Sequence, residues 1–219
     1  MKSILSESDR NRLDQRIAEA EKRTGAQIVL AIVRRSDSYA ELPWRAFALG
    51  ASIAGLLVCI ADAFSGGWNF VATSLIPVAA ILGAGAAFAL LAVPVPRFAR
   101  LFLSGHRAET EVRQYAESLF LRRELAATAG RTAVLLLVSL FERRVVLLPD
   151  KGLGSRLTDD AMRDTIAKMI PPLAKSDVRL ALETGLERLS QALESSAPGV
   201  SAGSGKNELP DQIIEEKGA

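Results

Sequence analysis

AFALGASIAGLLVCIA (residues 46–61) and FVATSLIPVAAILGAGAAFALLAV (residues 70–93) are two apolar stretches set between segments that read as one soluble α/β domain. The second runs 24 residues without a charge, about 36 Å at the helical rise, and so exceeds the roughly 20 residues that cross a hydrocarbon core. The first reaches spanning length by recruiting Leu42, Pro43 and Trp44 at one end and Asp62, Ala63 and Phe64 at the other, with Arg45 snorkelling toward the headgroups. Together they predict a transmembrane helical hairpin over residues 42–96.

The charges beside the hairpin set its orientation. Arg34, Arg35 and Arg45 precede it, Arg97, Arg100 and Arg107 follow it, and the connection over residues 62–69 contains no Lys or Arg. By the positive-inside rule both flanks face the cytoplasm and the connection faces outward. Two spans return the chain to the side it left, so one domain can be assembled from both flanks. The first twelve residues have no apolar core of the kind a signal peptide needs and are already polar by Ser6.

Within the hairpin, small residues sit four apart as Gly50 with Ala54, Ala51 with Gly55 and Gly83 with Ala87, a spacing that lets helices approach closely. Pro77 predicts a kink in the second span. A channel or carrier would place ionisable residues along a pathway, whereas here Arg45 and Asp62 lie at span ends, which favours an anchor over a transporter. Cys59, the only cysteine, lies in the first span and can form no intramolecular disulfide. A net charge of +2 gives no electrostatic footprint for nucleic acid.

The soluble segments alternate between helix and strand. Ser6 reads as the N-cap of a first helix with Leu13, Ile17 and Ala20 on its apolar stripe and Gly25 as its stop. AQIVLAIV (residues 26–33) is nearly continuous in apolar and β-branched residues and predicts a strand buried on both faces. After Pro94 and Pro96, residues 97–103 read as an interfacial segment. Val112, Tyr115, Ala116, Leu119 and Phe120 then share one helix face. Residues 131–140 and 144–148 predict paired strands around the Phe141-Glu142-Arg143 turn, followed by the loop Asp150-Lys151-Gly152-Leu153-Gly154. Thr158 should cap a helix that stops at Pro171-Pro172, and Ser176 should open another. Residues 196–219 turn to Ser, Gly, Ala and charge and read as a disordered tail.

LSESDRNRLDQRIAEAEKRTGAQIVLAIV (residues 5–33) and TAVLLLVSLFERRVVLLPDKGLGSRLTDDAM (residues 132–162) resemble the TPM domain family, a helix leading into Thr-Gly-Ala-x-Ile-Val, a second buried strand, an acidic-Arg turn, a Gly-Leu loop and a Thr-Asp helix start. The resemblance implies a three-layer α/β sandwich with a small central sheet, here interrupted by the two-helix transmembrane hairpin. It divides the chain into residues 1–41 and 97–195 as the two parts of the domain, residues 42–96 as the hairpin and residues 196–219 as the tail. It also resembles a bacterial subgroup of membrane proteins, which implies an inner-membrane, multi-pass location with the domain in the cytoplasm, the lipid bilayer as a partner, and a LemA-like membrane protein as a second one.

Members of the family have been described as phosphatases, as binders of divalent cations such as calcium or magnesium, and as assembly or repair factors. For a metal, the candidate ligands in this chain are Glu142, Asp150, Asp159 and Asp160, because a hard cation needs several converging oxygens. Each has a structural rival: Glu142 is part of a turn, and Asp159 with Asp160 follows a helix cap, where acid complements the helix dipole. Where many members carry Asp-Asn-Gly before the second strand, this chain has Arg131-Thr132-Ala133, a cation in place of a carboxylate. The sole histidine, His106, lies just after the interfacial segment, away from any catalytic triad. The sequence therefore favours a non-enzymatic membrane-anchored domain, with a divalent-cation-dependent phosphatase as the alternative.

Overall fold

Ser6 caps the first helix as its position predicts: its hydroxyl accepts the Asp9 N–H at 3.1 Å, and Glu7 and Asp9 fill the first turn. The computed structural model describes residues 4–65, 75–128, 130–196 and 212–218. Helix α1 (Glu7–Thr24) ends at Gly25, which takes φ 68°, a left-handed stop that costs glycine nothing. Strand β1 (Gln27–Arg35) follows, buried from Ile28 through Val33. Next come α2 (Glu41–Ser65), α3 (Leu75–Ala92), the short α4 (Pro96–Ala99) and α5 (Gly105–Arg122). Strands β2 (Ala133–Ser139) and β3 (Arg144–Pro149), helices α6 (Asp159–Ala174) and α7 (Val178–Ser195), and strand β4 (Ile214–Gly218) complete the order. The fold is mixed α/β, with seven α-helices and one four-stranded sheet among the described residues.

The chain divides into two units, Met1–Asp37 with Ala108–Ala219, and Ser38–Arg107. In the first, the strand order is β3-β2-β1-β4. β1 is parallel to both neighbours, with Leu30 opposite Leu136 and Ile32 opposite Glu215, and β2 is antiparallel to β3, with Leu136 opposite Leu147. Because side chains alternate along a strand, each strand serves two cores. Ile28, Leu30 and Ile32 pack with α1, α6 and α7 through residues such as Ile17, Met169 and Leu186. Val29, Ala31 and Val33 pack with Val112, Ala116 and Leu119 of α5. The sheet is thus the middle layer of three, and each large side chain buried in these cores contributes about 1.5–3 kcal/mol.

Three expectations from the sequence are corrected. Pro171 and Pro172 do not stop α6, which continues to Ala174. They sit in its last turn, where each lacks the N–H that would have bonded a carbonyl four residues back, and the helix ends two residues later; the Pro172 carbonyl accepts the N–H groups of Lys175 at 3.1 Å and Asp177 at 3.0 Å. The cap of α7 is Asp177 rather than Ser176: the Asp177 carboxylate accepts the Leu180 N–H at 2.9 Å. The tail is not disordered in its last part, since residues 214–218 form β4 along β1. Local propensity argued against a strand in Glu-Glu-Lys-Gly, but the buried Ile213 enters one core, Ile214 packs on the other, and pairing with β1 overrides propensity. Residues 197–211 lie outside the described residues.

The second unit is built on α2 and α3. Both are long and apolar enough to cross a membrane by length and composition, and only 6% and 11% of their most apolar windows are buried. Their backbones approach closely at two glycines. A Cβ on Gly50 would lie 2.8 Å from the Ala84 carbonyl oxygen, and one on Gly85 would lie 2.8 Å from the Phe47 ring. One turn further along α3, the rings of Phe88 and Phe98 meet edge-on at 5.8 Å, and those of Phe98 and Phe102 meet at 5.3 Å. Arg45 donates to the Phe102 carbonyl at 2.8 Å. The start of the second predicted span, residues 70–74, and connecting residues 66–69 fall outside the described residues.

Candidate functional site

Two polar clusters lie at opposite ends of the sheet. At the carboxyl ends of β1 and β2, the 140–143 turn folds back so that the Leu140 and Phe141 N–H groups bond the Val33 and Arg34 carbonyls at 3.0 and 2.9 Å. This brings Glu142 inside, where its carboxylate accepts the Ser36 N–H at 2.8 Å and the Ser139 hydroxyl. The Ser36 hydroxyl donates to the Ser139 oxygen at 3.2 Å. Glu142 is thus a buried tie between the turn and the end of β1, a use that satisfies the carboxylate within the protein.

Beside that tie lies a shallow cleft of about 490 Å³ lined by Ser36, Tyr115, Ser118, Arg122, Glu216, Lys217 and Gly218. The carboxyl ends of parallel strands are where α/β sheets present ligand crevices. Glu216 is its centre: it accepts from the Tyr115 hydroxyl, from Arg122 at 3.2 Å and from Arg123 at 3.4 Å. Burial, together with the bond to Glu216 and its charge, pushes the Tyr115 pKa up to about 12. Burial also opposes ionisation of Glu216, but the Tyr115 hydroxyl and the two arginines outweigh it and hold its carboxyl below the usual range. The Tyr115 hydroxyl and the two arginines thus converge on Glu216 and tie α5 and the residues after it to β4.

On the opposite side of β4, Glu215 accepts the Ile4 N–H at 3.1 Å and meets Arg10 at 2.7 Å. Burial pushes its pKa up, and the Ile4 and Leu5 N–H groups with Arg10 bring it below the ordinary value. Alternation along one short strand therefore sends adjacent glutamates to the two faces of the sheet.

Asp150 lies at the other end of the hairpin. Six residue steps of β2 separate Ala133, whose carbonyl accepts the Asp150 N–H at 2.8 Å, from Ser139 beside Glu142, a distance of about 20 Å at strand rise. Glu142 and Asp150 therefore cannot share an ion. Asp159 and Asp160 are exposed in the first turn of α6, after the Thr158 cap that accepts the Ala161 N–H at 3.3 Å, and Asp160 meets Arg163 at 3.4 Å. Among the described residues no three His, Cys, Asp or Glu side chains are grouped to hold a metal.

The divalent cation that the sequence resemblance implies does not fit the residues present. Asp150, the one candidate in a glycine loop, has its carboxylate taken by Arg131, with Nε 3.2 Å from Oδ2 and Nη2 3.2 Å from Oδ1, and by the Lys151 N–H at 2.7 Å. His106 is exposed near the start of α5. The cluster around Glu216 went unread in the sequence because its members are about a hundred residues apart. The one local signal for it was the apolar pair Ile213-Ile214 returning after a Ser- and Gly-rich stretch.

A family model described as the TPM domain matches residues 1–66 and 90–192. The intervening residues 67–89 include most of α3. No curated protein matches significantly. The NMR structure of the BA42 protein from the psychrophilic bacterium Bizionia argentinensis is similar in fold, with a TM-score of 0.59 and 15% identity over 99% of this chain and 98% of that one.

Proposed function

The chain belongs to the TPM domain family, and from that premise we propose that it is a membrane-anchored member, holding its α/β domain at the cytoplasmic face of a bacterial inner membrane for contact with other membrane proteins. The observation that carries this reading is the inserted pair α2 and α3, whose apolar windows are 6% and 11% buried. A core helix of a soluble protein hides its apolar face, whereas these helices expose Leu49, Ile53, Leu57 and Ile60 on α2 and Ile76, Leu82 and Leu90 on α3. Six arginines flank the pair and none lies in the connection, which supports a cytoplasmic domain. The role is contact in assembly or quality control, with a LemA-like protein as a fitting partner. The reading is also supported by Glu142, Asp150 and Glu216, each of which accepts hydrogen bonds from other groups of the domain.

Cysteine accessibility tests the anchor directly. Single cysteines replacing Ser65 and Ser155 in a Cys59→Ala background should react with an impermeant maleimide from opposite sides, the first on intact cells and the second only after permeabilisation. Labelling of both from the same side would overturn the spanning hairpin.

A further inference from the structure

We propose that Arg131 is the built-in cation of this domain, neutralising Asp150 and closing the paired loops at residues 130–131 and 150–152 so that the fold needs no divalent ion there. The Asp150 side chain is only 4% exposed while that of Arg131 is 48% exposed. A carboxylate so withdrawn from water needs a partner charge, since a buried unpaired anion is strongly destabilising. Arg131 supplies it in a fork, Nε to one oxygen and Nη2 to the other, both at 3.2 Å, a planar match that a single ammonium cannot make. The Lys151 N–H adds a third donor at 2.7 Å. A hard cation would have to displace these donors and then find further oxygens. None of the other carboxylates considered can supply them, because Glu142 lies at the far end of the hairpin and Asp159 and Asp160 are turned to solvent.

The backbone is built to the same end. The Gly152 N–H bonds the Arg131 carbonyl at 3.0 Å, and a Cβ on Gly152 would stand 2.6 Å from that oxygen, so glycine is what permits the two loops to touch. Arg131 itself takes φ 50°, an unfavourable region for a residue with a side chain, held here by its N–H bond to the Thr128 carbonyl at 2.9 Å and by the fork. The cation is covalently supplied and always charged, so closure does not depend on the ion content of the surroundings.

Thermal unfolding of the full-length protein in detergent micelles, in EDTA and in excess calcium, magnesium or manganese chloride, reads this independently of the membrane assignment. The wild-type transitions should coincide in all four solutions. Arg131→Asp should unfold at a lower temperature in EDTA and recover saturably with calcium, because two facing carboxylates then need the ion that arginine replaced. A saturable rise of the wild-type transition with any divalent ion would overturn the proposal, as would an Arg131→Asp loss that is the same in EDTA and in calcium. If Arg131→Asp does not fold, Arg131→Gln and the wild type decide. The midpoint of Arg131→Gln should fall by the same amount in EDTA and in calcium, because Asp150 alone offers an ion one carboxylate, and calorimetric titration of the wild type with calcium should give no saturable heat; an unchanged midpoint in the variant or saturable heat in the wild type refutes the assignment.

Discussion

The Tyr115 hydroxyl donates a hydrogen bond to the Glu216 carboxylate, joining α5 on one face of the sheet to the strand that pairs at its edge. Removing the hydroxyl in Tyr115→Phe leaves Glu216 with two arginines and should cost about 1–2 kcal/mol at neutral pH. Denaturant unfolding measures that loss. An unchanged midpoint would mean that the hydroxyl is equally well bonded to water.

Alkaline titration reads the same bond from the other side. A tyrosine raised to about 12 in the folded state contributes stability that is complete below the ordinary tyrosine pKa and is lost as pH rises from there toward the folded value. Spectrophotometric titration should show a late-ionising tyrosine in the wild type that is missing in Tyr115→Phe.

The acid limb follows with opposite sign. Glu215 and Glu216 are held below the ordinary carboxylate range in the folded protein, so their stabilisation is present above the unfolded pKa and lost as pH falls through the folded values. Glu216→Gln should therefore flatten the fall of the thermal midpoint on acidification. Superimposable acid limbs for wild type and variant would contradict that stabilisation.

Glu142→Ala would leave the Ser36 N–H and the Ser139 hydroxyl without their buried acceptor. A loss of about 2–4 kcal/mol is expected for two orphaned donors. Glu142→Gln, which keeps a side-chain oxygen to accept from one of the two donors, should lose less.

Gly50→Leu should separate α2 from α3, because a Cβ there already meets the Ala84 carbonyl and the Phe88 ring at 2.8 Å. Overpacking of this kind costs about 1–3 kcal/mol. Gly83→Leu is the control, as nothing lies within 4 Å of a Cβ at that position. Comparable thermal midpoints in detergent for the two variants would show that close packing does not hold the helices together.

The elements with a strong period were legible in the chain. Alternating cores on β1 were implied by AQIVLAIV, and the caps at Ser6 and Thr158 are where their hydroxyls predicted them. The candidate site was much less legible. Glu142 and Asp150 are eight positions apart in sequence, and the extended strand β3 between them puts them at opposite ends of the sheet. Pro171-Pro172 misled by only a few residues: the ladder bonds they remove belong to the turn before them, and the helix runs on just to Ala174.

By itself the sequence determined the order of helices and strands before residue 196 and the place of the apolar insertion, since both follow from side-chain periodicity and run length, which are local. It could not determine that Glu-Glu-Lys-Gly near the chain end becomes β4, that its two glutamates part to opposite faces, or that Arg131 closes on Asp150. Those outcomes were decided by tertiary structure, because each depends on partners brought from distant parts of the chain, and a charged side chain is worth little until folding removes water and supplies its counterpart.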